Sequence, residues 1–209
     1  MTIVLILVIT YLIGTLPTAW LAVRHKGQDI RDEGSGNVGA MNTLGVTGSK
    51  GRFIIVFIVD ALKGVAAVLA ARYLAGEASI TIDALAILGV VLGHNFNIWL
   101  SVRRGQIEGG KGLAAALGGL AVSDMYMIIP VWIVTFAVGF FLYKLIWHRS
   151  KIAPGTTLAT LSVPVAAYFF YGSTALLIMG IVTFAIVIKH VEEMRELLVK
   201  NDGDNPDGS

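Results

Sequence analysis

Apolar residues in this chain come in blocks the length of a bilayer crossing, and that feature limits what it can fold into. Residues 3–23, 53–74, 82–100 and 125–143 are mostly Ile, Leu, Val, Ala and Phe. Roughly 20 residues at 1.5 Å each cross the ~30 Å hydrocarbon core as a helix. Backbone in lipid must satisfy its own hydrogen bonds, so such blocks are expected to fold as helices packed on one another. Composition agrees: 56% of the 209 residues are hydrophobic and 14% are charged, against about 25% charged in a soluble domain. The expected fold is all-α, a polytopic integral membrane protein, and a soluble doubly wound domain is excluded. No cysteine is present, which removes disulfide frameworks and thiolate chemistry.

Three further apolar runs, 112–122, 156–171 and 173–188, bring the simplest count to seven crossings, or to five if the short runs are half-inserted. The first run has no basic segment before it and no A-x-A-like cleavage site, so it reads as a retained helix. Residues 1–200 form one expected domain. The Gly-, Asp- and Asn-rich residues 201–209 are expected to be a disordered tail. Polar segments at 24–52, 101–111, 144–154 and after 188 hold 14 of the 16 lysines and arginines. Only Arg72 faces the other side, and Lys63 lies within a run. The positive-inside rule then places the N-terminus outside and the C-terminus in the cytoplasm, with an active site facing the cytoplasm at the inner (plasma) membrane. A net charge of +2 is too small to suggest nucleic acid.

Two glycine clusters interrupt the apolar pattern. Residues 34–45 read GSGNVGAMNTLG, and Gly34, Gly36 and Gly39 fit the G-x-G-x-x-G spacing of a dinucleotide loop. That loop needs a preceding strand within a βαβ unit, whereas here an apolar helix and the charged stretch KGQDIRDE come first. Dinucleotide binding is set aside, but the physical use of glycine remains. Bare backbone lets successive N–H groups converge on an anion, and Ser35 and Asn37 add side-chain hydrogen bonds. Tight turns between helices are the plainer use of the same residues. Residues 105–112 read GQIEGGKG, close to a P-loop, but Gly112 stands where Ser or Thr would hold magnesium. ATP hydrolysis is not expected. Lys111, flanked by Gly109, Gly110 and Gly112, instead places a cation and free amides at the start of an apolar helix, which favours a phosphate. A topology-marking lysine would explain the charge but not the three glycines.

Asp60 and Lys63 lie three apart in the 53–74 run and share a helical face, where pairing lowers the cost of carrying either in lipid. The pair is structural or functional. His94 ends the third run and His190 the last, each either interfacial or part of a pocket beside the glycine loops. There is no H-E-x-x-H and no G-x-S-x-G, so metal hydrolysis and serine-hydrolase chemistry lack support. No metal or cofactor is expected.

In order, GSGNVGAMN at 34–42, VDALKG at 59–64, GHNF at 93–96, GGKG at 109–112 and KH at 189–190 resemble the motifs of a known family. They are similar to those of the bacterial membrane acyl-phosphate:glycerol-3-phosphate acyltransferases, the PlsY family, and the likeness extends to about residue 198. The resemblance implies a seven-helix fold with its motifs in cytoplasmic loops. It also implies fatty acyl transfer from acyl phosphate to the 1-hydroxyl of glycerol 3-phosphate, giving lysophosphatidic acid and phosphate. By this resemblance Ser35, Gly36, Asn37 and Asn42, within a loop that includes Gly34 and Gly39, contact acyl phosphate. Gly109, Gly110, Lys111 and Gly112 hold glycerol 3-phosphate. His94 and His190 line the pocket and join Ser35 and Lys111 as candidate catalytic residues, with Asp60 and Lys63 in support. The lipid bilayer is the remaining partner, and a monomer is expected.

The chemistry fits those residues. Acyl phosphate is a mixed anhydride with a weakly basic leaving group, so the protein mainly has to align two phosphorylated molecules and stabilise an oxyanion. This chain departs from the usual pattern at Met41 (usually Thr), Gly45 (Arg), Glu193 (Asn) and Glu196 (Arg). The stretch SVRRGQIE also lengthens the segment between GHNF and GGKG. Two lost cations and two gained carboxylates predict weaker anion binding. A positive φ at Gly45 would bar an arginine there. A carrier for a phosphorylated metabolite is the rival class, but it would need polar residues near the midplane reachable from both sides, and only Asp60 and Lys63 lie at depth. A non-catalytic lipid binder differs from the enzyme only by assay.

Overall fold

The computed structural model describes residues 2–24, 27–147 and 153–203, with side chains described except at 147, 153–154 and 192–203. Among the described residues ten helices follow one another and no strand occurs: α1 (Thr2–Gly14), α2 (Thr18–Arg24), α3 (Ala40–Thr47), α4 (Lys50–Ala75), α5 (Ile80–Asn95), α6 (Ile98–Arg104), α7 (Leu113–Val122), α8 (Ile128–Trp147), α9 (Ala153–Tyr171) and α10 (Ser173–Gly203). Five segments are long and apolar enough to cross a membrane: Thr2–Arg24, Lys50–Ala75, Ile80–Arg104, Ile128–Ile146 and Ser173–Val191. The architecture is that of an all-α integral membrane protein.

Several boundaries differ from the sequence reading. Two runs expected to be continuous are broken. The first parts at residues 15–17, where Pro17 lacks an N–H and disfavours helix at Leu16. The third parts at residues 96–97, and Asn97 caps α6 by accepting the Leu100 N–H at 3.2 Å. The fourth becomes helical only at Ile128, after a turn over 124–127. The short 112–122 run is the ten-residue α7, about 15 Å long at 1.5 Å per residue. The tail expected to be disordered from residue 201 continues α10 as far as Gly203, and residues 204–209 lie outside the described residues.

The central helix is α5, which packs on α1, α4, α7 and α10, while α4 also packs along α7. Lipid tails are as apolar as leucine, so helices in a membrane are held by close approach rather than by the hydrophobic effect. Small residues provide that approach here. A Cβ at Gly64 would collide with the Ala115 carbonyl oxygen, and one at Gly118 with that of Ala61. The α4–α7 contact therefore requires both glycines. At one end of this group Arg72 donates to Asp83 through Nε (2.8 Å) and Nη2 (2.6 Å), and its Nη2 also pairs with Asp124 at 3.1 Å. The cluster ties the end of α4, the start of α5 and the α7–α8 turn together. The glycine loops lie at the opposite ends of α4 and α5.

Candidate active site

The site forms where three interruptions of the helices meet: the 34–39 loop ahead of α3, the break at 96–97, and the 105–112 loop ahead of α7. Backbone hydrogen bonds join them. The Val38 N–H donates to the Gly109 carbonyl at 3.2 Å, the Gly110 N–H to that of His94 at 3.0 Å, and the Asn97 N–H to that of Glu108 at 2.8 Å. Asn95 reaches across to donate to the Ala185 carbonyl of α10 at 2.9 Å, and Asn97 donates to the Thr15 carbonyl at 2.7 Å. The two glycine clusters, 75 residues apart at Gly34 and Gly109, are thus one structure.

A cavity of about 500 Å³ opens against these loops. Its polar wall carries Asn37, Asn42, Asp60, His94, Lys111, Thr156 and His190, and its apolar wall includes Phe53, Phe57, Leu117, Trp132 and Phe136. The first residues of two helices, α3 and α7, also face it through Ala40, Met41, Leu113 and Ala114. Two helix N-termini and a lysine directed at one space favour an anion by dipole and by charge. Burial of Lys111 pushes its ammonium down to about 8, which is the cost of holding a cation out of water before its ligand arrives. The apolar wall is built from stacked rings: Trp132 lies against Phe136 with centroids 5.5 Å apart, and Phe53 against Phe57 at 6.2 Å. One cavity therefore offers a place for phosphate and a place for hydrocarbon.

A model of one protein family, described as glycerol-3-phosphate acyltransferase, matches residues 4–200. The chain belongs to that family. It is 35% identical over 204 residues to the glycerol-3-phosphate acyltransferase of Mesorhizobium japonicum, covering 96% of this chain and 94% of that protein. It is 34% identical over 197 residues to that of Wolbachia pipientis subsp. Culex pipiens, covering 93% and 94%. Its fold is similar to the crystal structure of PlsY, an integral membrane glycerol 3-phosphate acyltransferase, in its glycerol 3-phosphate form. The TM-score is 0.74 with 26% identity, over 96% of this chain and 94% of that one. The lysophosphatidic acid form gives 0.72 with 25% identity, over 96% and 93%.

Of the residues named from the sequence, Asn37, Gly39, Asn42, Asp60, His94, Lys111, Gly112 and His190 line the cavity. Gly34, Ser35, Gly36, Gly109, Gly110 and Lys63 are not among the lining residues. Asn42 has a structural duty that the sequence reading missed. Its Oδ1 accepts the Ser35 N–H at 3.1 Å, and its Nδ2 donates to the carbonyls of Ile30 at 3.1 Å and Glu33 at 3.0 Å. The side-chain amide thereby closes the 30–35 turn. Gly34 and Gly36 hold positive φ of 60° and 69°, and a Cβ on Gly34 would strike Asn42 Oδ1. Asp60 and Lys63 pair at 2.8 Å, both buried. Gly45 has open space around it and no positive φ, so the expected bar to arginine is absent. The side chains of Glu193 and Glu196 lie outside those described.

Thr156 and the four rings of the apolar wall escaped the sequence reading. A lone threonine at the start of α9 carries no motif, and aromatic residues in apolar helices look alike whether they meet lipid or ligand. Ahead of the first glycine loop, Arg31 donates to Asp29 through Nη2 at 2.6 Å and Nε at 2.9 Å, and to the Leu100 carbonyl at 3.2 Å. The hydrogen-bonded guanidinium holds the Asp29 carboxyl well below the usual carboxylate range. Arg104 pairs with Asp32 in the same cluster. The lengthened segment containing Arg104 therefore buttresses the first glycine loop.

Proposed function

We propose that this chain transfers a fatty acyl group from acyl phosphate to the 1-hydroxyl of glycerol 3-phosphate, giving lysophosphatidic acid and phosphate, the first step of phospholipid synthesis. The observation that carries this reading is the single cavity in which Lys111, two helix N-termini and an aromatic wall meet. Substrates with a charged phosphate at one end and a long alkyl chain at the other fit such a cavity. Membership of the glycerol-3-phosphate acyltransferase family supplies the acceptor.

The reaction needs little from the side chains beyond placement. The glycerol oxygen attacks the acyl carbonyl carbon, the bond from that carbon to the phosphate oxygen breaks, and the departing phosphate takes the hydroxyl proton. Holding both substrates in line is worth about 7 to 11 kcal/mol of barrier in well-oriented systems. Lys111 and the amides at the start of α7 bind glycerol 3-phosphate, and the 34–39 loop with Ser35, Asn37 and the start of α3 binds acyl phosphate. The first loop's backbone N–H groups stabilise the carbonyl oxygen as it gains charge.

We read seven crossings, with α7 and α9 joining the five long segments, the N-terminus outside, and the glycine loops on the cytoplasmic face of the inner membrane of the cell. The chain acts as a monomer and makes no contact with nucleic acid. The test is to incubate the purified protein with acyl phosphate and labelled glycerol 3-phosphate. Labelled lysophosphatidic acid appears with the parent protein, and its absence from a folded preparation overturns the assignment.

A further inference from the structure

Lys63 sits behind the cavity wall with its ammonium enclosed by acceptors. Nζ lies 2.8 Å from Asp60 Oδ1, 2.9 Å from the Leu16 carbonyl, 3.4 Å from that of Gly14, and 3.3 Å from His94 Nδ1. Both carbonyls flank the break that Pro17 makes in the first span. An ammonium has three donors and no acceptor. His94 Nδ1 must therefore accept, and in the neutral ring the proton then sits on Nε2. That Nε2 points away from Lys63, toward the second glycine loop: a Cβ at Gly110 would collide with it. The ring also lines the cavity.

We propose that Lys63, paired with Asp60, is a positioning residue that locks His94 in the Nε2–H tautomer, so that the ring presents a hydrogen-bond donor to the phosphorylated ligand. The functional part rests on the acyltransferase reading above. In this arrangement His94 donates to a phosphate or a developing oxyanion and does not take the glycerol proton, because its one lone pair is turned to Lys63. Among the described residues, Asp60 and Lys63 on α4 are the charged groups at the ring, and Lys111 on the glycine loop and His190 on α10 line the same cavity. His190 is set the other way: its Nδ1 lies 3.1 Å from the Ile186 carbonyl, which can only accept, so Nδ1 carries the proton there. The two cavity histidines thus carry opposite tautomers, although both end their apolar runs in the same manner.

The test is nitrogen NMR of the full-length protein labelled with 15N-histidine, in lipid nanodiscs at pH 7. The His25→Gln/His148→Gln protein retains two of the four histidines, and the signal lost on His190→Gln identifies the other as His94. His94 is expected to show a protonated Nε2 and an unprotonated Nδ1. A protonated Nδ1 in the parent protein overturns the proposal. In Lys63→Met the Nδ1 is freed to donate toward Asp60, 4.0 Å away, and an unchanged His94 pattern in that variant also overturns it. If Lys63→Met does not assemble, the parent spectrum alone decides. Adding glycerol 3-phosphate shifts the His94 Nε2 resonance. A protein that binds glycerol 3-phosphate without such a shift refutes the donor role. One that shows the expected tautomer but binds no glycerol 3-phosphate refutes the acyltransferase reading and leaves the lock standing.

Discussion

The two glycine loops use the same residue for different physical reasons. In the first, Gly34 and Gly36 are needed for a left-handed backbone, and the turn is tied by a side chain, Asn42. In the second, positive φ is confined to the ends, Gly105 and Gly112, and the inner Gly109 and Gly110 are needed because there is no room: a Cβ on Gly109 would enter the backbone of His94 and Asn95, and one on Gly110 would strike His94 and the Val38 carbonyl. The first loop is shaped from within. The second is shaped by what it lies against. Gly36 should therefore tolerate residues that accept a left-handed backbone, whereas Gly109 and Gly110 should tolerate nothing larger than hydrogen.

The largest effect is expected at Gly110→Ala. The methyl displaces the His94 ring or separates the loops, and misplacing reacting groups by ~1 Å can cost about a hundredfold in rate. Acyl transfer should fall by that order, with a lower melting temperature. The paired variant is Gly36→Asn, because asparagine visits the left-handed region readily and a Cβ there meets only the Arg31 carbonyl at 3.2 Å. That variant should keep most of its activity, and equal losses at the two positions would break the distinction between the loops.

Next comes Lys111→Ala, which removes a charge-assisted contact worth about 1.5 to 3 kcal/mol. The kcat/KM for glycerol 3-phosphate should fall roughly 10- to 150-fold at that energy while membrane insertion is kept. The same lysine gives the site a pH signature. Its folded value of about 8 lies below the ordinary 10.5, so the cation that binds phosphate is lost as pH rises through about 8, and kcat/KM should decline there. Stability should move the other way: between those values the unfolded chain binds more protons than the folded one, and the stability contributed by this group rises with pH. A pH-rate profile beside a thermal melt series separates the two trends.

A smaller effect belongs to Asn42→Ala, which leaves the Ser35 N–H and the carbonyls of Ile30 and Glu33 without their partner. A lost hydrogen bond of this kind costs about 1 to 3 kcal/mol. The loss should appear chiefly as a lower melting temperature and a raised KM for acyl phosphate, with kcat for the second substrate little changed. The smallest effect, and the only gain, is expected at Gly45→Arg. The position is open and free of positive φ, and it lies one helical turn along α3 from Met41 and Asn42. A several-fold fall in KM for a phosphorylated substrate would show that the missing arginine weakens the pocket. No change in a folded protein would show that the departure is compensated elsewhere.

Much of this was legible in the sequence because lipid imposes simple rules. The long apolar runs, the clustering of lysine and arginine, and the two glycine loops could be read without coordinates, and the loops do meet at one cavity. Breaks inside the runs were harder. Pro17 marks the first, but the break at 96–97 depends on Asn97 capping α6 and donating its N–H to the Glu108 carbonyl, a contact between residues with no shared periodicity. Ser35 stands out from its place between glycines, but that its N–H donates to Asn42 Oδ1 could not be read from spacing. Lys63 was recognised as a partner of Asp60, but its grip on His94 depends on a third helix and a broken first span. Spacing reports neighbours along one helix, and these contacts join several.

The account rests on the two glycine loops standing on one face of the membrane, and single cysteines test that most directly because the chain has none of its own. Glu33 and Gln106 are exposed on the two loops, and Glu77 is exposed at the other end of α4. In sealed vesicles of one orientation, Glu33→Cys and Gln106→Cys should react with a membrane-impermeant thiol reagent from the same side, and Glu77→Cys only from the opposite side. Labelling of Glu33→Cys and Gln106→Cys from opposite faces would mean that the loops cannot share a cavity, and the acyltransferase site described above would not exist.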